Sequence, residues 1–104
     1  MAPIKTEILN IVKTYINLLE DTGFPVKEAY LYGSYSHGVE DEWSDIDLAV
    51  VSDNFEGNRF KDKEKIRGLY RKVDYRLSIL PLNKSSLDSF FIQSEIINKG
   101  IRIV

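Results

Sequence analysis

The chain contains no cysteine, which removes disulfides and thiolate metal sites from consideration and gives no indication of an oxidising compartment. It has no apolar run long enough to span a bilayer. Its first residues, Met1-Ala2-Pro3-Ile4-Lys5, lack the apolar stretch and small-residue cleavage site of a secretory leader. The expectation is a cytoplasmic protein without a membrane partner. An excess of positive charge is also missing. The net charge is −2, which argues against a broad electrostatic footprint for long nucleic acid.

What is present is the composition of an ordinary folded protein, 43% apolar and 29% charged. A length of 104 residues suits one hydrophobic core, so residues 1–104 are read as a single domain. Ile4, Ile8, Ile11, Val12, Tyr15, Ile16 and Leu19 recur at three- and four-residue spacing, the stripe of an amphipathic helix. Asp21-Thr22-Gly23 and Pro25 end it. A strand is expected over 26–32, then a small polar segment over 34–44, then a strand over 45–51 whose second half is too apolar for exposure. A second helix is expected over 59–72 with Phe60, Ile66, Leu69 and Tyr70 buried. Residues 73–80 alternate as a strand that Pro81 stops, with Asp74 on its polar phase. Asn83 or Ser85 would cap a third helix carrying Leu87, Phe90, Phe91, Ile96 and Ile97, and 101–104 would add a last strand. This order predicts an α/β (α+β) domain, a small mixed sheet with helices packed on it.

Three features carry chemistry. Asp45 and Asp47, one residue apart on a strand, leave the same face about 7 Å apart along the backbone. Ile46 and Leu48 hold the opposite face in the core, so the acids cannot change sides. Two such carboxylates repel, and a hard cation such as Mg²⁺ resolves the repulsion, completing its shell with phosphate oxygens and water. Alone, Asp-x-Asp is common solvent-facing polarity. Asp74 adds weight if its strand is a neighbour, because three carboxylates then converge, although an ion pair with Arg71 or Arg76 would also account for it. The third feature is Gly33-Ser34 at a strand end, where glycine permits close backbone approach and serine can donate to phosphate.

Leu31-Tyr32-Gly33-Ser34-Tyr35-Ser36-His37-Gly38, then Trp43-Ser44-Asp45-Ile46-Asp47-Leu48-Ala49-Val50, then Val73-Asp74-Tyr75 together resemble the polymerase-beta-like nucleotidyltransferase superfamily. Val51-Ser52-Asp53-Asn54-Phe55-Glu56-Gly57 and the closing stretch from Phe91-Ile92 to Gly100-Ile101 look like the minimal nucleotidyltransferases of prokaryotic toxin–antitoxin pairs. The resemblance covers nearly the whole chain. It implies one or two Mg²⁺ ions on Asp45, Asp47 and Asp74. It also implies Gly33 and Ser34 on the β- and γ-phosphates, and transfer of a nucleoside monophosphate from ATP or another NTP to a hydroxyl. In the similar antitoxins the acceptor is a tyrosine of a partner HEPN-type ribonuclease toxin. This chain departs from the pattern in the loop after Gly-Ser, where Tyr35 and His37 stand instead of arginines.

Because so short a chain holds no second domain for an acceptor, the acceptor would come from a partner protein or a second copy. The basic run Arg59, Lys61, Lys63, Lys65, Arg67, Arg71, Lys72, Arg76 reads first as a solvated helix face, and residues 59–72 are also the candidate docking surface. Two other functions remain open, transfer to a small molecule as in aminoglycoside-modifying relatives, and a non-catalytic module that neutralises its partner by occlusion.

Overall fold

A computed structural model of the chain describes residues 5–33 and 45–104. Helix α1 spans Thr6–Asp21 and buries Ile8, Val12, Tyr15, Ile16 and Leu19, the expected stripe. Its end is a paired reversal. Gly23 N–H donates to Glu20 O at 3.2 Å and Phe24 N–H to Leu19 O at 2.9 Å, which satisfies carbonyls the helix leaves open. Strands β1 (Glu28–Tyr32) and β2 (Ile46–Val51) pair antiparallel, Tyr32 opposite Asp47 and Glu28 opposite Val51. Strand β3 (Leu77–Leu82) runs parallel to β2, and the two-residue β4 (Ile101–Arg102) runs antiparallel to β1. The order across the sheet is β3-β2-β1-β4.

The two-residue period of the strands divides the core into two layers. Ala29, Leu31, Ile46, Leu48, Val50, Leu77 and Ile79 pack with the α1 stripe on one face. Tyr30, Ala49, Val51 and Leu82 pack on the other face with Ile92 and Ile96. β2 is central and covered on both faces, which explains why its second half carries no polar residue before Ser52.

Beyond β2 several expectations are corrected. The helix expected over 59–72 is the shorter α2, Arg59–Lys65, followed by turns and a 3₁₀ turn at Tyr70–Lys72. Gly68 breaks it by adopting φ +82°, a left-handed conformation that a continuing helix excludes. Phe60 is not on the buried side but 76% exposed, whereas Ile66 is buried. Asn58 caps α2 by accepting from Lys61 N at 3.1 Å. Fully buried Asp62 accepts from Glu56 N at 2.7 Å and Gly57 N at 2.9 Å, tying the preceding loop to the helix.

Pro81 lies inside β3 rather than ending it. β3 is at the margin of the sheet, where a missing N–H leaves no ladder bond broken on the outer side. The third helix is also two pieces. Asn83 caps a 3₁₀ turn, Lys84–Asp88, through a reciprocal pair with Ser86. Ser89 is extended, and a π-helical segment, Ile92–Ile97, follows. The break rotates the later residues, so Ile92 and Ile96 are buried while Phe90 and Phe91 are exposed. The last strand ends at Arg102 instead of running to residue 104.

Candidate active site at the start of the central strand

Asp45 and Asp47 straddle the first residue of β2. Ile46, fully buried against the α1 layer, locks the alternation and directs both acids to the opposite face. Asp45 is exposed and Asp47 half-buried. In register, Asp47 lies between Tyr32 on β1 and Ser78 on β3.

Gly33 follows Tyr32 directly and has φ +72°. A Cβ built there would stand 2.3 Å from Asp47 Oδ2, far inside van der Waals contact. The position therefore excludes a side chain twice, by backbone conformation and by the carboxylate itself. The outcome is a bare stretch of main chain against an acid, at the point where the sequence leads into the Ser34 segment. Ser34 and His37 fall within 34–44, outside the described residues.

The electrostatics match this crowding. Asp47 is held above the ordinary carboxylate range, first by burial and then by the negative charge of Asp45. Tyr32 is raised by burial and by Asp47, with Arg59 acting in the opposite direction. Two neighbouring carboxylates with hard oxygen donors and no soft ligand suit a divalent cation such as Mg²⁺. Asp45 and Asp47 are the residues that could hold it.

Asp74 is placed differently from the expectation. It precedes β3 by three residues, in a turn where its N–H donates to Tyr70 O at 2.9 Å and its carbonyl accepts from Leu77 N at 3.3 Å. Its carboxylate receives Arg76 Nε at 3.1 Å, Arg76 Nη2 at 3.0 Å and Arg76 N at 2.8 Å. This forked pair, with the Arg76 hydrogen bond foremost, holds Asp74 below the usual carboxylate range. Arg76 also reaches Glu7 Oε1 at 3.4 Å, and its carbonyl accepts from Ile46 N at 2.8 Å. Among the described residues no three acids or histidines form a group that could hold a metal. The expected convergence of Asp74 with Asp45 and Asp47 is thus not formed, and the neighbour of Asp47 on β3 is Ser78. An aspartate whose carboxylate takes the amide two residues on makes a turn, and Asp74-Tyr75-Arg76 contained that signature beneath its strand-like alternation. Sequence reasoning also missed Tyr32 and Ser78 as walls of the site. Tyr32 was detectable from its place before Gly33, but Ser78 required the strand register.

A family profile described as "Nucleotidyltransferase domain" matches residues 7–103. The chain belongs to the nucleotidyltransferase domain family. Among solved structures, a toxin–antitoxin with AMP-PNP contains a chain 26% identical, with TM-score 0.63, covering 92% of this chain and 72% of that one. A toxin–antitoxin MntA–HpeT mutant aligns at 23% identity and TM-score 0.61 over 88% of this chain and 71% of that one. A protein from Sulfolobus solfataricus, assigned as a nucleotidyltransferase, aligns at 23% identity and TM-score 0.56 over 79% and 75%. No curated protein matches the chain significantly. The nucleotidyltransferase fold of this chain is therefore a small mixed sheet with Asp45 and Asp47 at the start of its central strand and helical segments on both faces, the polymerase-beta-like arrangement.

Proposed function

We propose that this nucleotidyltransferase moves a nucleoside monophosphate, AMP from ATP, onto a hydroxyl of a partner protein, in an antitoxin role. The observation that carries the reading is the approach of the Gly33 main chain to Asp47 with Asp45 alongside. Phosphate, a cation and carboxylate can meet there without a side chain between them. Similar solved structures include a toxin–antitoxin with AMP-PNP, and a toxin–antitoxin mutant with two aspartates, two positions apart, replaced by glutamate. That spacing is the spacing of Asp45 and Asp47.

Asp45 and Asp47 would hold one or two Mg²⁺ ions, which supply charge neutralisation of the triphosphate and activation of the acceptor hydroxyl. Gly33 leaves room for the β- and γ-phosphates, and Ser34 donates to a phosphate oxygen. Tyr32 and Ser78 flank the acids and narrow the approach. Asp74 fixes Arg76, which anchors the start of β2 through its carbonyl, so its contribution is to position the Asp45-Ile46-Asp47 segment. The acceptor is a tyrosine of a HEPN-type toxin, with a second copy of this chain as the other source. The exposed cations of 59–72 form the docking surface, although Arg67 is engaged by Glu64 and Lys65 by Glu56.

The test is incubation with Mg²⁺ and α-labelled ATP, with and without the product of the neighbouring reading frame. Label on the partner that disappears with Asp45→Asn supports the reading. No label and no pyrophosphate with any of the four NTPs would sink it. A second reading, neutralisation by occlusion, is favoured by the presence of Ser78 rather than a third acid beside Asp47. Partner neutralisation that survives both Asp45→Asn and Asp47→Asn would establish it.

A further inference from the structure

A cavity of about 470 Å³ lies against β3. Tyr15, Ile66, Leu77 and Ile79 wall it, all of them members of the layer packed with α1. It therefore sits on the sheet face opposite the one to which Asp45 and Asp47 are directed. Tyr70 and Tyr75 add aromatic wall. An apolar cavity of roughly 150 Å³ already accepts benzene, so this one has room for a two-ring molecule carrying a charged group. Neither the core nor the proposed transfer gives this space a task.

Two polar groups at the cavity are left without partners. Tyr15 is fully buried, and its hydroxyl has no hydrogen-bond partner among the described residues. Buried hydroxyls are ordinarily paired, and a donor left unmade beside a cavity marks a place for an acceptor. Burial also pushes the phenol above its ordinary pKa, which keeps it a neutral donor. Lys63 is the second such group. Arg67, at the same cavity, is engaged by Glu64 at 3.6 Å, whereas Lys63 makes no ion pair among the described residues.

We infer that this cavity is a ligand site separate from the paired acids, and that it takes a small planar aromatic anion. The rings lie between the apolar and aromatic walls, a ring nitrogen accepts from the Tyr15 hydroxyl, and a carboxylate meets Lys63. Asp45 also borders the cavity and repels an anion on its own side, which turns the charged end toward Lys63. The inference goes beyond the transfer reading and does not depend on it, because none of these contacts involves ATP or an acceptor protein.

The test uses the full chain labelled at isoleucine and leucine methyls, titrated with quinoline-6-carboxylate and followed by NMR and calorimetry. This probe carries its ring nitrogen and its carboxylate at opposite ends. The expected result is one binding site that moves the Ile66, Leu77 and Ile79 methyl resonances, both with and without saturating Mg²⁺ and AMP-PNP. Naphthalene-2-carboxylate, which lacks the nitrogen, should bind about tenfold more weakly. Tyr15→Phe should bring the quinoline acid down to the naphthalene level and leave the naphthalene acid unchanged. Lys63→Gln should weaken the quinoline acid by roughly fivefold and leave unsubstituted quinoline unaffected. No binding, or binding that moves none of these methyls, would overturn the inference. Mutual exclusion with AMP-PNP would place the rings in the nucleotide site and overturn it equally. An equal loss of both acids in Tyr15→Phe would make Tyr15 a structural wall and remove the hydrogen bond on which the ligand assignment stands.

Discussion

Asp62 and Asp47 are both acids taken away from water, and their surroundings could hardly differ more. Asp62 is fully buried and receives two backbone amides from the loop it secures, with Lys65 Nζ 3.9 Å away. Asp47 is half-buried against a glycine main chain, with another acid beside it as the second cause of its raised proton affinity. The first arrangement is what an acid needs to hold a fold together. The second costs stability, the expected mark of a carboxylate kept for binding rather than for holding the fold. The same contrast separates Asp74, saturated by Arg76, from Asp45. Counting acids finds candidates. Counting the donors around each one sorts them.

The sharpest way to break this comparison is to neutralise each acid in turn. Asp47→Asn should lower nucleotidyl transfer by on the order of 100-fold or more, read from pyrophosphate release, while leaving the urea midpoint unchanged or higher. Asp62→Ala should do the reverse. It strands two part-buried amides, so stability should fall by roughly 1–3 kcal/mol in urea titration, with activity intact where the protein remains folded. If Asp47→Asn destabilises as Asp62→Ala does, the distinction fails.

Gly33→Ala joins both sides. Left-handed backbone alone costs about 1–2 kcal/mol per non-glycine residue, and the added methyl must also displace the Asp47 carboxylate. Activity should therefore fall further than thermal stability does. The pH dependence sharpens the contrast with opposite signs. Asp47 has a folded-state pKa raised above its unfolded value, so it binds a proton more readily when folded, and its penalty is relieved as pH falls through that raised value. Asp74 is depressed, so its contribution is present above the unfolded carboxylate pKa and is lost as pH falls through the folded one. Urea midpoints measured from neutral to acid pH should show the gap between wild type and Asp47→Asn closing on acidification. The gap to Asp74→Asn should close as well, at lower pH and from the other side. The smallest effect is expected at Tyr15, whose buried hydroxyl has no hydrogen-bond partner among the described residues. Tyr15→Phe should leave the melting temperature unchanged or raise it, by no more than about 1 kcal/mol in stability.

The first half of the fold was legible because its elements are governed by burial. The Ile8 to Leu19 stripe and the Ile46, Leu48 and Val50 phase each answer to a single core layer, so periodicity reports them directly. Beyond β2, local backbone chemistry overrides periodicity. Gly68 stops α2, Ser89 divides the third helix, and the Asp74 carboxylate folds residues 73–76 into a turn although their pattern continues the strand. The candidate site follows the same division. Asp45, Asp47 and Gly33 were readable from spacing, because a strand's geometry places neighbours at i and i+2. Ser78 was not, since it reaches Asp47 only through a parallel pairing between strands that lie far apart in the sequence. A pocket lined from α1, α2 and β3 together has no trace in any single stretch.

The margins of the sheet limit how this chain can associate with others. An open strand is a template for another chain's backbone, and such templating underlies much aggregation. Here one border is β3, which carries Pro81 and so lacks one donor, and the other is β4, only two residues long. Neither offers a partner a long ladder to extend. Backbone pairing by a partner is thereby discouraged at both described borders, which favours recognition through side chains, where charge and shape discriminate.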